Sequence, residues 1–242
     1  MGAIAGWFAL VHTPNIVHGQ TIGGRTGESL VQALTSRSSI LLTIGYTAHA
    51  WELLGMRAWT PTFLAAAFRS NGVVGSATMA LWIAVPIHLA GVVATLTMGA
   101  ASDRWGRRSV LVATALGGAI LSLSFGWLID FPLVLLLLIT FAYGFTVLGD
   151  SGVLSTAMTE AIHPQYLGTL LALRSILGFG AGAISPLVFG WILDATNPAG
   201  GLPQIWGWGF MALGVGGAIA TLCALILPRE KSTAGASKPR ED

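Results

Sequence analysis

His49 and Glu52 stand three residues apart in an otherwise apolar run, so on a helix they share one face. A carboxyl held there can take up and release a proton as water reaches it from alternate sides, and an imidazole beside it is a natural exchange partner. The other use of the same residues is a purely structural polar knot. His88 falls in the next apolar run, two residues after Pro86, and is placed to join the cluster. Arg57 follows Glu52 by five residues and therefore points away from it on a straight helix. Its guanidinium suits two-pronged binding of a carboxylate or oxyanion, or anchoring at an outer surface by snorkelling. Asp150, in Gly149-Asp150-Ser151-Gly152, and Arg174, in Leu173-Arg174-Ser175, are opposite charges in two later apolar runs. A pair between them, with Glu160 and the loop around Asp103 nearby, forms either an inner gate whose charges exchange partners or a permanent bridge. No catalytic set is evident: the serines lack a histidine and carboxylate in a recognisable order, no phosphate-cradling glycine loop carries a lysine, and His49 and Glu52 lack the second histidine of a zinc helix. An enzyme, a cofactor and a metal site are not expected.

The elements that must position these residues are membrane helices. Of 242 residues, 54% are hydrophobic and only 9% charged, against about 25% charged in soluble domains, and the mean hydropathy is +0.74. A backbone in lipid must satisfy its own polar groups, which selects helices over open strands. Six spans are expected, at residues 39–68, 73–101, 110–129, 131–158, 167–193 and 206–227. At about 1.5 Å per residue, the first puts His49 and Glu52 some 15 to 20 Å into the bilayer, and the second brings His88 to a similar depth. Tyr46, Trp51 and Trp59 on the first span are placed either to line a cavity or to pack. Residues 1–12 are apolar but too short to cross, lack the charge pattern of a secretory signal, and look like the tail of a preceding span. Residues 13–38, rich in Gly, Ser and Thr, are expected to form a flexible loop, and 228–242 a polar tail. The single Cys223 lies in the last apolar run and excludes an internal disulfide. A net charge of +2 with no aromatic-interleaved basic patch excludes nucleic acid as a partner.

Between the second and third spans, four charges fall within six residues, in Gly99-Ala100-Ala101-Ser102-Asp103-Arg104-Trp105-Gly106-Arg107-Arg108. Gly99 is suited to close approach of a neighbouring helix, Asp103 to pairing with the arginines behind it, Gly106 to a tight turn, and Arg107 with Arg108 to an anionic membrane surface. Nine of the twelve Lys and Arg residues fall on this side of the membrane, including Arg25, Arg37 and the tail residues Arg229, Lys231, Lys238 and Arg240. Only Arg69 lies opposite, while Arg57 and Arg174 lie within spans. The charge rule puts loop and tail in the cytoplasm.

This loop resembles G-x-x-x-D-R-x-G-R-R of the major facilitator superfamily, matching at Gly99, Asp103, Arg104, Gly106, Arg107 and Arg108. The resemblance implies an all-α bundle of six membrane helices, built from two inverted three-helix repeats, that corresponds to the C-terminal half of a transporter, with the partial N-terminal helix left from the first half. It implies alternating access about a midplane site, in the cell's inner (plasma) membrane, with a small organic solute and possible proton coupling. Asp103 would act as a latch. The other six-helix bundle would come from a partner chain or a second copy, the alternative being a non-transporting half that serves only as a membrane binding or assembly partner. Gly178, Gly182, Pro186 and Gly190, spaced every four residues, form a small-residue packing ridge. They resemble the antiporter motif of the superfamily's fifth spans, except that the proline does not directly follow Gly182. The glycines of the last span suit close packing.

Overall fold

The computed structural model describes residues 29–73, 77–197 and 204–228. The N-terminal remnant expected at 1–12, most of the loop at 13–38 and the tail beyond Pro228 lie outside them. What is described of the loop ends in helix α1, Leu30–Thr35, where a flexible segment was expected. Ser29 and Gln32 cap it reciprocally: the Ser29 hydroxyl accepts from the Gln32 amide at 3.2 Å, and the Gln32 side chain accepts from the Ser29 amide at 2.9 Å. The Ser39 hydroxyl donates to the Ala33 carbonyl at 2.7 Å and ties α1 to the next helix.

Six long helices follow: α2, Arg37–Ser70; α3, Ala77–Trp105; α4, Arg107–Phe125; α5, Leu133–Ala161; α6, Pro164–Thr196; and α7, Gly207–Ile226. They match the six expected spans within a few residues. Five, from Trp82–Trp105 to Gly207–Ile226, are long and apolar enough to cross a membrane. Helix α2 is the exception in composition, because it carries His49, Glu52 and Arg57. Its 34 residues extend about 50 Å and exceed the roughly 30 Å of a hydrocarbon core. It tolerates those polar groups by lying at the centre of the bundle, against α5, α6 and α7. Gly106, at φ 84°, makes the one-residue break between α3 and α4 that a side chain would strain.

The packing has the symmetry of two three-helix repeats, α2–α4 and α5–α7. Exchanging the repeats turns the α2–α6 contact into α5–α3, and the α2–α7 contact into α5–α4, and all four are extensive. Helices α3 and α6 make no substantial contact with each other. A groove is therefore left between them, with α2 and α5 at its floor. The windows of α3 and α6 are accordingly 22% buried, against 56% for α7.

Two apolar cores lie at the ends of the bundle. The outer one is aromatic, with Phe63, Phe125, Phe189, Trp206 and Phe210 at ring separations of 4.8 to 6.4 Å. The inner one is aliphatic, with Leu42, Val110, Leu111, Val153, Leu154 and Met158. Buried polar residues, among them His49, Glu52, Ser122 and Asp150, occupy the layer between. The ridge on α6 packs on α2 as its spacing indicated. A methyl at Gly178 would strike Tyr46, one at Gly182 would strike Leu54, and one at Gly190 would press on Trp59.

Candidate functional site

The polar layer is assembled from three helices. Glu52, 3% exposed, accepts a hydrogen bond from the Ser122 hydroxyl of α4 at 2.6 Å, and Ser122 also bonds the Tyr143 hydroxyl of α5. One turn nearer the start of α2, His49 places Nδ1 3.0 Å from Asp150 Oδ1 and Nε2 2.9 Å from Ser151 Oγ. A carboxylate only accepts, so a proton on Nδ1 suits the Asp150 side, and in a neutral ring Nε2 would then accept from Ser151. The sequence showed no assembled serine, histidine and carboxylate; the fold aligns Ser151, His49 and Asp150 in that order. Asp150 lies buried beside the imidazole at ion-pair distance, and its Oδ1 has no well-directed hydrogen bond among the described residues.

Two expected associations are corrected. Asp150 pairs with His49 and not with Arg174. The Arg174 guanidinium lies 3.9 Å over the Tyr46 ring and donates to Ser155 Oγ at 3.2 Å, while its Nε, buried, has no hydrogen-bond partner among the described residues. His88 does not join His49 and Glu52. It is exposed on the groove side of α3, where it lines a cavity of about 420 Å³ with Arg57, Thr95, Ile87, Leu96 and Leu148. Arg57 is likewise exposed and faces away from Glu52, as its spacing required. Trp51 and Trp59 serve packing: their indole N–H groups donate to the carbonyls of Ala212 and Pro186, each at 2.9 Å.

At the end of the bundle that carries the charged loop, Arg107 joins that loop to α5. It pairs with Asp103 on one side, and its Nη2 lies 3.0 Å from Glu160 on the other, with Ser102 as a further acceptor at 2.6 Å. Arg108 caps the end of α7 through the carbonyls of Ala224 and Leu225, where a cation meets the negative pole of the helix. Both arginines thus make contacts inside the protein as well as setting charge at the membrane face. Gly99 departs from expectation, since a methyl there would meet nothing within 4 Å among the described residues. Arg104 is exposed.

Ser151, Ser122 and Tyr143 are the residues of the polar layer that sequence reasoning missed. Serines and a tyrosine in an apolar helix signal little by themselves, and only Asp150 beside Ser151 marked the place.

A comparison with curated proteins finds no match. The family model of the Major Facilitator Superfamily matches residues 36–242, which takes in all six long helices, the charged loop and the polar layer. The family's members are transporters rather than enzymes. With a six-helix bundle of two repeats, a groove open along one face and a buried polar centre beside it, the chain belongs to the Major Facilitator Superfamily and is a multi-pass membrane protein of the transporter type.

Proposed function

We propose that the protein is a proton-coupled secondary transporter that moves a small organic anion by alternating access. The observation that carries this reading is the pairing of an open cationic groove with a buried titratable centre. Arg57 and His88 stand on the groove walls, while Glu52, His49 and Asp150 lie immediately behind its floor. Arg57 offers a two-pronged contact to a carboxylate, Thr95 a hydroxyl, and Ile87, Leu96 and Leu148 an apolar wall for the rest of the solute. Proton uptake on the buried centre biases the bundle toward one of its two orientations, and solute binding biases it in turn. The Asp103, Arg107 and Glu160 set is the latch at the cytoplasmic end, where a change of partner accompanies the rocking.

A second six-helix bundle, from another copy or another chain, closes the groove by packing on α3 and α6. Their exposed residues Leu89, Leu96, Ile176 and Leu187 support such a partner. The positive side, with Arg37, Arg104, Arg107 and Arg108, faces the cytoplasm of a plasma membrane, which puts the C-terminal residues there too.

The test is uptake of a panel of labelled organic acids into proteoliposomes under an imposed pH gradient. Uptake above that of empty vesicles, collapsing with a protonophore, is the expected result. Arg57→Ala should raise KM about 10- to 100-fold, the worth of a charge-assisted hydrogen bond, with partial recovery in Arg57→Lys. An unchanged KM in Arg57→Ala would remove the guanidinium from the solute site.

A further inference from the structure

We propose that Ser151 is the port through which protons pass between the open groove and the buried His49–Asp150 pair, making that pair a proton site separate from Glu52. This rests on the proton-coupled reading above and adds to it a route. Glu52 has no direct path of its own to the groove: its partners Ser122 and Tyr143 are, like it, fully or almost fully buried. His49 is 2% exposed, yet its Nε2 reaches a residue that is not sealed. Ser151 is half-buried and sits on the face of α5 that carries Leu148, a lining residue of the Arg57 and His88 cavity. A methyl at its neighbour Gly152 would meet nothing within 4 Å, so this stretch of α5 borders open space. Ser155, one turn further, is on the same side and holds Arg174 at 3.2 Å, and its hydroxyl fixes the Ser151 carbonyl at 2.9 Å.

The geometry defines the steps. A hydronium ion in the groove gives a proton to Ser151 Oγ and is left as water, as the Ser151 hydroxyl proton passes over 2.9 Å to His49 Nε2. The product is an imidazolium whose Nδ1–H remains against Asp150 Oδ1 at 3.0 Å. One proton enters, no bond other than O–H and N–H changes, and Ser151 is regenerated. Release follows the reverse order. Serine and histidine exchange a proton in the same way in serine hydrolases; here the serine is the half-buried member and Asp150 the buried one. Beside Asp150 the space bounded by Leu111, Leu154, Ala220 and Cys223 is only about 10 Å³, room for one water at most. The ionisable groups around the ring are Tyr46 and Glu52 from its own helix, Asp150 and Tyr143 from α5, Arg174 from α6 and Cys223 from α7. Arg174 stays in place over the Tyr46 ring and against Ser155.

The experiment is imidazole nitrogen-15 NMR of the full chain in lipid nanodiscs, with the His49 signals assigned through His49→Asn and no solute present. In the wild type the His49 resonances should shift with pH and exchange protons with water. Ser151→Ala should slow that exchange about tenfold or more, and Ser151→Thr, which keeps the hydroxyl, should restore it. Equal exchange rates in the wild type and Ser151→Ala, with both samples monodisperse, would overturn the port. A His49 signal that does not titrate would overturn the proton site. Either failure would leave pH-driven uptake, measured separately, free to stand, and loss of uptake with normal His49 exchange would instead overturn the transporter reading.

Discussion

His49→Leu is expected to lower the stability of the bundle by about 3 to 5 kcal/mol, the usual consequence of leaving a buried carboxylate without its partner. The imidazole is 2% exposed and Asp150 is 3% exposed, so no solvent replaces the lost partner. Arg174 does not take over, because it is held by Tyr46 and Ser155. Thermal unfolding in detergent should shift down by roughly 6 to 20 °C for a chain of this size. The double variant His49→Leu/Asp150→Asn should regain a good part of this loss, since it removes the buried charge along with its partner. It should not regain proton coupling, because both titrating groups are gone. A melting temperature for His49→Leu within about 2 °C of the wild type, the shift of less than 1 kcal/mol, would contradict the dependence of Asp150 on the imidazole.

Gly217→Leu should disrupt the bundle at its most crowded seam. A methyl alone at this position would lie 2.6 Å from Glu52 Oε2, 2.9 Å from the Cα of Ala119 and 3.0 Å from its Cβ. The Ala119 contact is backbone, so it yields only if α4 and α7 move apart, and those two helices share one of the broadest contacts in the protein. Gly216 has the same problem on the α2 side, where a methyl would approach the Ala48 carbonyl to 2.6 Å. Overpacking of this kind costs about 1 to 3 kcal/mol for small additions and more for large ones. Gly217→Leu should therefore reduce the yield of folded, monodisperse protein severely, and Gly217→Ala partially. Gly152→Ala is the contrast: its methyl meets nothing within 4 Å, and removal of a mid-helix glycine should leave stability equal or raise it by about 0.5 to 1 kcal/mol. If Gly152→Ala and Gly217→Ala behaved alike, the α4–α7 seam would not be as tight as described.

The number and extent of the long helices were legible in the sequence, and azimuth was not. Apolar runs of about 20 residues mark where such helices form. The ridge of Gly178, Gly182 and Gly190 was legible because small residues every four positions leave one obvious face. The partners of Asp150 were not. Helix α5 is apolar on nearly all sides, so its sequence carries little information about rotation, and Asp150 and Arg174 at similar depths looked like a pair. The fold turns Asp150 toward α2 and leaves Arg174 over Tyr46. His88 failed for the same reason: it lies at a depth near that of Glu52 but on the groove face of α3. Asp103 was expected to pair with the arginines behind it, and Arg107 is the one that pairs with it; that Arg107 also reaches Glu160 on α5 was not legible, because the sequence does not say which way α5 turns. Gly99 shows that a small residue near a helix end need not mark a contact within the same bundle.

The proposed coupling of proton movement to solute movement runs through the buried centre. The most direct measurement records both in one sample: proteoliposomes loaded with a pH-sensitive dye, with no imposed gradient, to which the transported organic acid is added. The expected result is a solute-dependent change of internal pH that exceeds passive entry in empty vesicles and is abolished in His49→Asn/Asp150→Asn, while that variant still exchanges labelled solute across the membrane. Solute flux with no accompanying pH change in the wild type, or an undiminished pH change in the variant, would contradict it.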